Sequence, residues 1–236
     1  MTVITVDTGS DQIEATLEVP AGAGPWPSVV IVHDVFGMSD DIRAIARRFA
    51  DRGYLAVVPD LYARGGRTKC VQAVFKSLLA RKGRAVDDLL ACRDAVVARE
   101  DTTDAVGIVG FCMGGGFALA LAPKGFNASA PFYGILPKHI DAALEGTCPV
   151  VASFGKRDPS LIGAGKKLEK VLQDKDVEHD VKTYPGAGHG FANQFTPGLG
   201  AVFMRVAGLG YKRDQAEDAF GRVFDFFDRN VPGASR

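Results

Sequence analysis

The chain has 236 residues, of which 47% are hydrophobic and 24% are charged, the balance of an ordinary globular protein rather than a disordered, collagen-like or disulfide-stapled one. Its 28 basic and 28 acidic residues cancel, which argues against nucleic acid or anionic membranes as partners, because those require a basic excess. We therefore expect a small-molecule partner. No composition shift or repeat divides the sequence, so we predict a single domain over residues 1–236.

The sequence gives no sign of export or of membrane insertion. Residues 1–7 contain no basic segment followed by a long apolar stretch, as a signal peptide would. No apolar run approaches the roughly 18 residues that a membrane span needs. The four cysteines form no C-x-x-C pair, which suits a reducing compartment. We expect a cytoplasmic protein.

The first predicted elements are two strands, followed by a strand–helix–strand unit. Ile4–Val6 and Ile13–Val19 alternate like an antiparallel pair. Ser28–His33 and Tyr54–Val58 are continuously apolar, as central parallel strands are. Between them, Ser39 is a predicted N-cap for a crossover helix that ends before Gly53. Its predicted buried face consists of Ile42, Ile45, Ala46 and Phe49.

The rest of the chain continues the alternation of strands and helices. Four more strands are predicted, at Ala105–Phe111, Ser129–Tyr133, Val150–Phe154 and His179–Tyr184. Helices are predicted near Asp87–Arg99, Met113–Leu121, Leu161–Leu172 and Arg213–Asn230. Tyr62–Thr68 and Gly190–Gly210 lack a regular period and are predicted to be loops over a site. The fold class is therefore α/β, with about six parallel strands in a mainly parallel central sheet that has helices on both faces.

Cys112 stands at the most informative point of the sequence, between a predicted strand and a predicted helix. Gly110 and Gly114 flank it two residues away on either side, the spacing of the sharp turn that presents a hydrolase nucleophile. The N-terminus of the following helix would favour a thiolate. Two other interpretations are a buried packing cysteine and a dinucleotide-binding turn. The second lacks a glycine at position 112 and an acidic residue near position 130.

Asp158 and His189 follow in the order nucleophile, acid, histidine. Asp158 comes just after the strand Val150–Phe154, where it suits either an acid that orients a histidine or a turn-capping residue before Pro159. His189 lies between two glycines beyond the last predicted strand, a place that suits a general base. His139 and His179 favour exposed or structural roles. No metal-ligand spacing is present, and we predict no metal.

These residues belong to four motifs that together resemble the dienelactone hydrolase family, a branch of the α/β-hydrolase fold with a cysteine nucleophile. The resemblance covers nearly the whole chain. The motifs are Val32–Gly37, Val58–Arg64, Gly110–Gly115 and Gly186–Phe191. The resemblance implies an α/β-hydrolase fold and a triad of Cys112, His189 and Asp158. It also implies an oxyanion hole formed by the backbone N–H groups of Met113 and Val35.

The sequence departs from the family pattern at two positions. Asp34 stands where family members that open dienelactones carry a thiol-activating glutamate, and it is the candidate for that role here. Asn193 stands where those enzymes carry an arginine that binds the substrate carboxylate. Candidate substrate-binding residues are Phe36, Arg64, Arg67 and Phe191, although a solvated surface position is the ordinary one for the two arginines.

The function expected from these features is hydrolysis of a small lactone or ester through a cysteine acyl-enzyme, as in carboxymethylenebutenolidase, with no cofactor. A general carboxylesterase or thioesterase would use the same site. A third possibility is a non-catalytic binding or thiol-sensing module on a hydrolase fold. A glutaminase-type cysteine site is disfavoured because Phe191 stands where such families carry a glutamate. The protein is expected to be a monomer or a homodimer.

Overall fold

A computed structural model describes residues 1–194 and 210–233. One sheet of eight strands runs through the described chain, in the spatial order β1-β2-β4-β3-β5-β6-β7-β8. The strands are β1 (Thr2–Asp7), β2 (Gln12–Glu18), β3 (Trp26–Val32), β4 (Leu55–Pro59), β5 (Thr102–Phe111), β6 (Ala128–Phe132), β7 (Val150–Gly155) and β8 (His179–Tyr184). The helices are α1 (Asp40–Ala50), α2 (Gly66–Ala80), α3 (Arg84–Val97), α4 (Met113–Leu121), α5 (Ile140–Ala143), α6 (Ala164–Asp174) and α7 (Arg213–Asn230).

The sheet is mainly parallel, as predicted. β1 pairs with β2 and β2 with β4 in the antiparallel sense. The strands from β3 to β8 all pair in the parallel sense. Six carboxyl ends therefore meet at one edge of the sheet, the edge where open α/β sheets place their ligands.

Helices cover both faces of the sheet. Successive side chains of a strand point to opposite faces, and in the central strands both sets are apolar and need covering. In β3, Val29 and Ile31 enter the core beneath α1, α6 and α7. Val30 and Val32 enter the core beneath α2 and α3. Every residue of β3 is buried, which explains its continuously apolar sequence.

Helix α1 shows how closely local sequence determines an element. The hydroxyl of Ser39 accepts a hydrogen bond from the N–H of Ile42 at 3.3 Å, so Ser39 is the N-cap. Asp40 and Asp41 lie in the first turn, where the helix dipole favours negative charge. The predicted apolar face is buried against the sheet.

The prediction of a loop over Tyr62–Thr68 was wrong in its second half, because helix α2 begins at Gly66. The pair Gly65-Gly66 indicates a loop, and of the residues in α2 only Val74 and Leu78 are buried. The helix is thus too weakly amphipathic to show a clear period. The short helix α5 lies where a surface helix was expected around His139. Residues 195–209, the middle of the second predicted loop, lie outside the described residues.

None of the helices in the described ranges is long and apolar enough to cross a membrane. All of the described elements belong to the one sheet and its two helical layers. The site must therefore be sought at the edge where the parallel strands end.

Candidate active site

Cys112 occupies the turn between β5 and α4 in a backbone conformation that non-glycine residues rarely adopt. Its φ is 55° and its ψ is −113°, and positions in such sparsely populated regions cost about 1–3 kcal/mol. The N–H of Cys112 donates to the carbonyl oxygen of Phe132 at 3.1 Å, and the carbonyl oxygen of Cys112 accepts from Gly116 at 3.1 Å. The strained turn is thus held in place by a neighbouring strand and by the helix that follows.

The two flanking glycines are required by the closeness of the backbone around this turn. A Cβ atom on Gly110 would lie 2.0 Å from the carbonyl oxygen of Gly114. A Cβ atom on Gly114 would lie 2.1 Å from the carbonyl oxygen of Val32. Neither space admits a side chain, so the G-x-C-x-G spacing follows from the packing of α4 against β3 and β5. The Cys112 side chain itself is half-buried.

Asp158 and His189 meet at the same edge of the sheet. Oδ2 of Asp158 lies 2.6 Å from Nδ1 of His189. Oδ1 of Asp158 accepts hydrogen bonds from the N–H of Ser160 at 2.9 Å and from its hydroxyl at 2.6 Å. One oxygen of Asp158 thus caps the turn at Ser160, and the other contacts His189. Burial would raise the pKa of Asp158, but these hydrogen bonds hold it below its ordinary value.

His189 links the carboxylate to the thiol. Burial disfavours the charged ring, but hydrogen bonds with Asp158 and with the Cys112 side chain raise the pKa of His189 to about 10. Because Nδ1 is directed at Asp158, Nε2 is the nitrogen that remains for the sulfur. The structure thus brings together the three residues that the sequence suggested as a triad.

Asp34 lies among these groups, after the end of β3. It is 3% exposed, and its Oδ1 accepts the N–H of Phe36 at 2.7 Å. Burial raises the pKa of Asp34 to about 6, with a further rise from the neighbouring Asp41 and an opposing effect from His189. Its role as a thiol activator stays a prediction.

The other predicted site residues lie in different places. Val35 follows β3 and Met113 begins α4, where the first N–H groups of a helix have no acceptor within the helix. Phe36 is 47% exposed, and the guanidinium of Arg67 lies 6.0 Å from its ring centre. Phe191 is fully buried against the rings of Tyr133 and Tyr184. It therefore packs the loop that carries His189 onto the core.

Arg64 makes contacts that tie it to the scaffold. Its guanidinium makes two hydrogen bonds to the carboxylate of Asp88, at 2.8 and 3.0 Å. Its Nε lies 2.8 Å from a carboxylate oxygen of Asp11. Since Asp88 is buried, Arg64 neutralises a charge on α3. These contacts give no support to the predicted role of Arg64 in substrate binding.

Sequence reasoning did not anticipate a network that holds the histidine loop. Nδ2 of Asn193 donates to Asp41 at 2.7 Å, and Oδ1 of Asn193 accepts from the hydroxyl of Tyr133. The ring centre of Tyr133 lies 5.2 Å from that of His189. Asp41 lies in the first turn of a helix and Tyr133 follows the end of a strand. Both residue types are common at such positions, so the sequence contained no signal that they would share a network.

Among the residues the structure describes, no group of three or more His, Cys, Asp or Glu side chains is arranged to hold a metal ion. Of the four histidines, all within the described residues, His33 is the buried one. Its Nδ1 lies 2.7 Å from the carbonyl oxygen of Asp34, and its Nε2 accepts the N–H of Leu61 at 3.1 Å. Burial lowers the pKa of His33. The neutral ring of His33 therefore links the backbone after β3 to the backbone after β4 by hydrogen bonds.

The chain as a whole is similar to known proteins of one family. A family model described as "Dienelactone hydrolase family" matches residues 13–231. A protein of Saccharolobus solfataricus named "Putative carboxymethylenebutenolidase" is 28% identical, over 94% of this chain and 96% of that protein. A Yersinia pestis protein of the same name is 27% identical, over 96% of this chain and 87% of that protein. The crystal structure of a "Putative Dienelactone Hydrolase" from Klebsiella pneumoniae has a TM-score of 0.79 and 26% identity, and covers 97% of this chain and 98% of that one.

Proposed function

Because the chain belongs to the dienelactone hydrolase family, we propose that it hydrolyses a small lactone or ester through an acyl-enzyme formed on Cys112. The single observation that carries this proposal is the contact of 2.6 Å between Asp158 and the ring of His189, whose charge state is also influenced by the Cys112 side chain. A half-buried thiol at a helix N-terminus, beside an imidazole that an acid orients, is the arrangement of an activated nucleophile.

In the acylation step, the Cys112 thiolate attacks the carbonyl carbon of the substrate and forms a carbon–sulfur bond. The carbonyl electrons move to oxygen and then return, which breaks the bond between the carbonyl carbon and the leaving oxygen. His189 gives its proton to that oxygen. The raised pKa of His189, about 10, means that the ring holds this proton at neutral pH when the sulfur is a thiolate.

In the deacylation step, water attacks the acyl-thioester while His189 takes one of its protons. The tetrahedral intermediate collapses with release of the thiolate, and the carboxylic acid product leaves. Asp158 keeps its hydrogen bond to Nδ1 throughout, which fixes the ring orientation and stabilises the imidazolium form. Hydrolysis is then complete and the enzyme returns to its starting state, with water as the only co-reactant.

The oxyanion of both steps would be bound by the N–H groups of Met113 and Val35. Met113 is the first residue of α4, so its N–H points out of the helix beside the sulfur. Val35 lies in the turn after β3, the strand next to β5 in the sheet. Each donor of this kind contributes about 3 kcal/mol to the transition state in hydrolases.

Asn193 favours a second candidate function, hydrolysis of general carboxylesters that carry no carboxylate. Its side chain is 1% exposed and is bonded to Asp41 and Tyr133. This position therefore presents no cation to a substrate carboxylate, whereas the resemblance implies an arginine there in dienelactone-opening enzymes. The thiol-sensing alternative has no comparable observation in its favour.

A substrate panel with matched variants tests these proposals. We expect hydrolysis of p-nitrophenyl acetate by the wild type, and loss of at least about 10³-fold in turnover in Cys112→Ala and Cys112→Ser. Cys70→Ser is the control, since that thiol lies on α2. Comparing a dienelactone, an acyl-CoA and p-nitrophenyl acetate distinguishes the substrate classes. Full activity in Cys112→Ala would overturn the nucleophile assignment.

A further inference from the structure

Tyr62 is a buried residue whose hydroxyl contacts both residues that are proposed to supply the oxyanion donors, Val35 and Met113. It follows β4 and is 4% exposed. Its hydroxyl donates to the carbonyl oxygen of Val35 at 3.3 Å and lies 3.7 Å from the sulfur of Met113. A hydroxyl has one proton, and a thioether is a weak acceptor. The bond to Val35 is therefore the stronger of the two contacts, while the Met113 side chain packs against the same oxygen.

The position of Tyr62 is fixed before any substrate binds. Its N–H donates to Oδ1 of Asp60 at 2.9 Å, and its ring centre lies 4.9 Å from that of His33. On another side, Gly37 has a φ of 88°, and a Cβ atom there would approach the Tyr62 ring to 3.0 Å. The absence of a side chain at Gly37 thus leaves the space that the ring fills.

The two peptide groups around Val35 are held at several points. In the peptide after Val35, the carbonyl oxygen accepts from Tyr62, and the N–H of Phe36 donates to Asp34 at 2.7 Å. In the peptide before Val35, the carbonyl oxygen of Asp34 lies 2.7 Å from Nδ1 of His33. That same oxygen accepts the N–H of Gly37 at 3.2 Å. The direction of the Val35 N–H, which is opposite the Asp34 carbonyl in a trans peptide, is therefore set by this group of contacts.

We propose that Tyr62 is a positioning residue that holds the N–H of Val35 at the correct distance and angle from the N–H of Met113, so that both donors reach the oxyanion. This inference rests on the proposed function. Oxyanion stabilisation depends steeply on geometry, and a misplacement of about 1 Å can cost about 100-fold in rate. The role requires a neutral phenol, and burial, with Asp34 nearby, raises the pKa of Tyr62 to about 12.

Two reactions of Cys112 separate this role from a general structural one. Acylation by an ester needs both the thiolate and the oxyanion donors. Alkylation by iodoacetamide displaces iodide at a saturated carbon, so it needs the thiolate but forms no oxyanion. A residue that positions the oxyanion donors should affect the first reaction and spare the second.

The variant Tyr62→Phe keeps the ring and removes only the hydroxyl. We expect the p-nitrophenol burst from p-nitrophenyl acetate at saturating ester to slow by about 10-fold or more. Alkylation of the Cys112 peptide by iodoacetamide, followed by mass spectrometry across pH, should stay within about twofold. The matched control is Tyr54→Phe, which loses a hydroxyl that is bonded to Asp228 at 3.0 Å. Tyr54 precedes β4 and so lies at the opposite edge of the sheet, where the parallel strands begin. This variant should change neither rate.

Three results would overturn the inference. An unchanged burst rate in Tyr62→Phe would show that the hydroxyl has no positioning role. An equal fall in acylation and alkylation would show that Tyr62 acts on the thiol instead. A fall in acylation that accompanies a loss of cooperative thermal unfolding, absent in Tyr54→Phe, would show a role in folding. A wild type that forms no acyl-enzyme would instead overturn the proposed function itself, which is a separate outcome.

Discussion

Asp158 and His189, which are 31 residues apart in the chain, are joined by a contact of 2.6 Å between Oδ2 and Nδ1. Asp158 is almost completely buried, whereas the His189 side chain is 27% exposed. The acid is thus fixed in the scaffold, and the ring on the glycine-flanked loop takes its orientation from it.

Replacing Asp158 by Asn should lower turnover of p-nitrophenyl acetate by about 10³-fold, because the amide no longer fixes the correct tautomer of His189 or stabilises its cation. The control is Ser160→Ala, which removes the 2.6 Å hydroxyl contact but leaves the 2.9 Å backbone hydrogen bond to Asp158. That variant should lose less than about 10-fold. Comparable losses in both variants, measured as kcat, would contradict the assigned role.

Gly114→Ala should destabilise the fold by about 3 kcal/mol, because the added methyl group would meet the backbone oxygen of Val32 at 2.1 Å. The matched control is Gly221→Ala in α7, where a Cβ atom would have no neighbour within 4 Å. Alanine is the better helix former by about 1 kcal/mol, so this variant should be stabilised. Urea unfolding measures both changes, and equal stability of Gly114→Ala and the wild type would contradict the packing described for the turn.

The raised pKa of Asp34, about 6 against an ordinary 3.8, predicts a pH dependence of stability. Between these values the unfolded chain loses the proton while the folded protein keeps it, so the free energy of unfolding falls as pH rises. Wild type should lose about 2–3 kcal/mol from this residue between pH 4 and pH 7, and Asp34→Asn should not. Asp40→Asn, an exposed carboxylate on α1, is the control.

Denaturant titrations at several pH values between 4 and 7 supply this comparison. The difference in unfolding free energy between Asp34→Asn and wild type should grow in favour of the variant as pH rises. A difference that stays constant over this range would show that the buried carboxyl of Asp34 ionises normally.

The sequence predicted those parts of the molecule that depend on local constraints. The turn at Cys112 was recognisable because Gly110 and Gly114 stand at positions where no side chain fits. Strands such as β3 were recognisable because burial on both faces demands a continuous apolar run. The edge that collects Cys112, Asp158 and His189 follows from the parallel order of the strands.

Contacts between distant residues were not predictable from one sequence. Asn193 and Asp41 are 152 residues apart, and neither residue type signals such a bond. Arg64 was expected near a substrate, but its guanidinium is paired with Asp88 on α3, and nothing in the spacing of these two residues required that pairing. Helix α2 was missed because few of its side chains are buried. Its sequence therefore lacks the 3.6-residue spacing of apolar side chains by which a helix is recognised.

Trapping the acyl-enzyme tests the central claim most directly. Wild type mixed with p-nitrophenyl acetate and quenched with acid within the burst phase should carry one acetyl group, and peptide mapping should place it on Cys112. The acetyl group should be absent from Cys112→Ala and should persist longer in His189→Gln, which lacks the base for deacylation. Steady hydrolysis by the wild type with no acetylated Cys112, or with the acetyl group on another residue, would contradict the account.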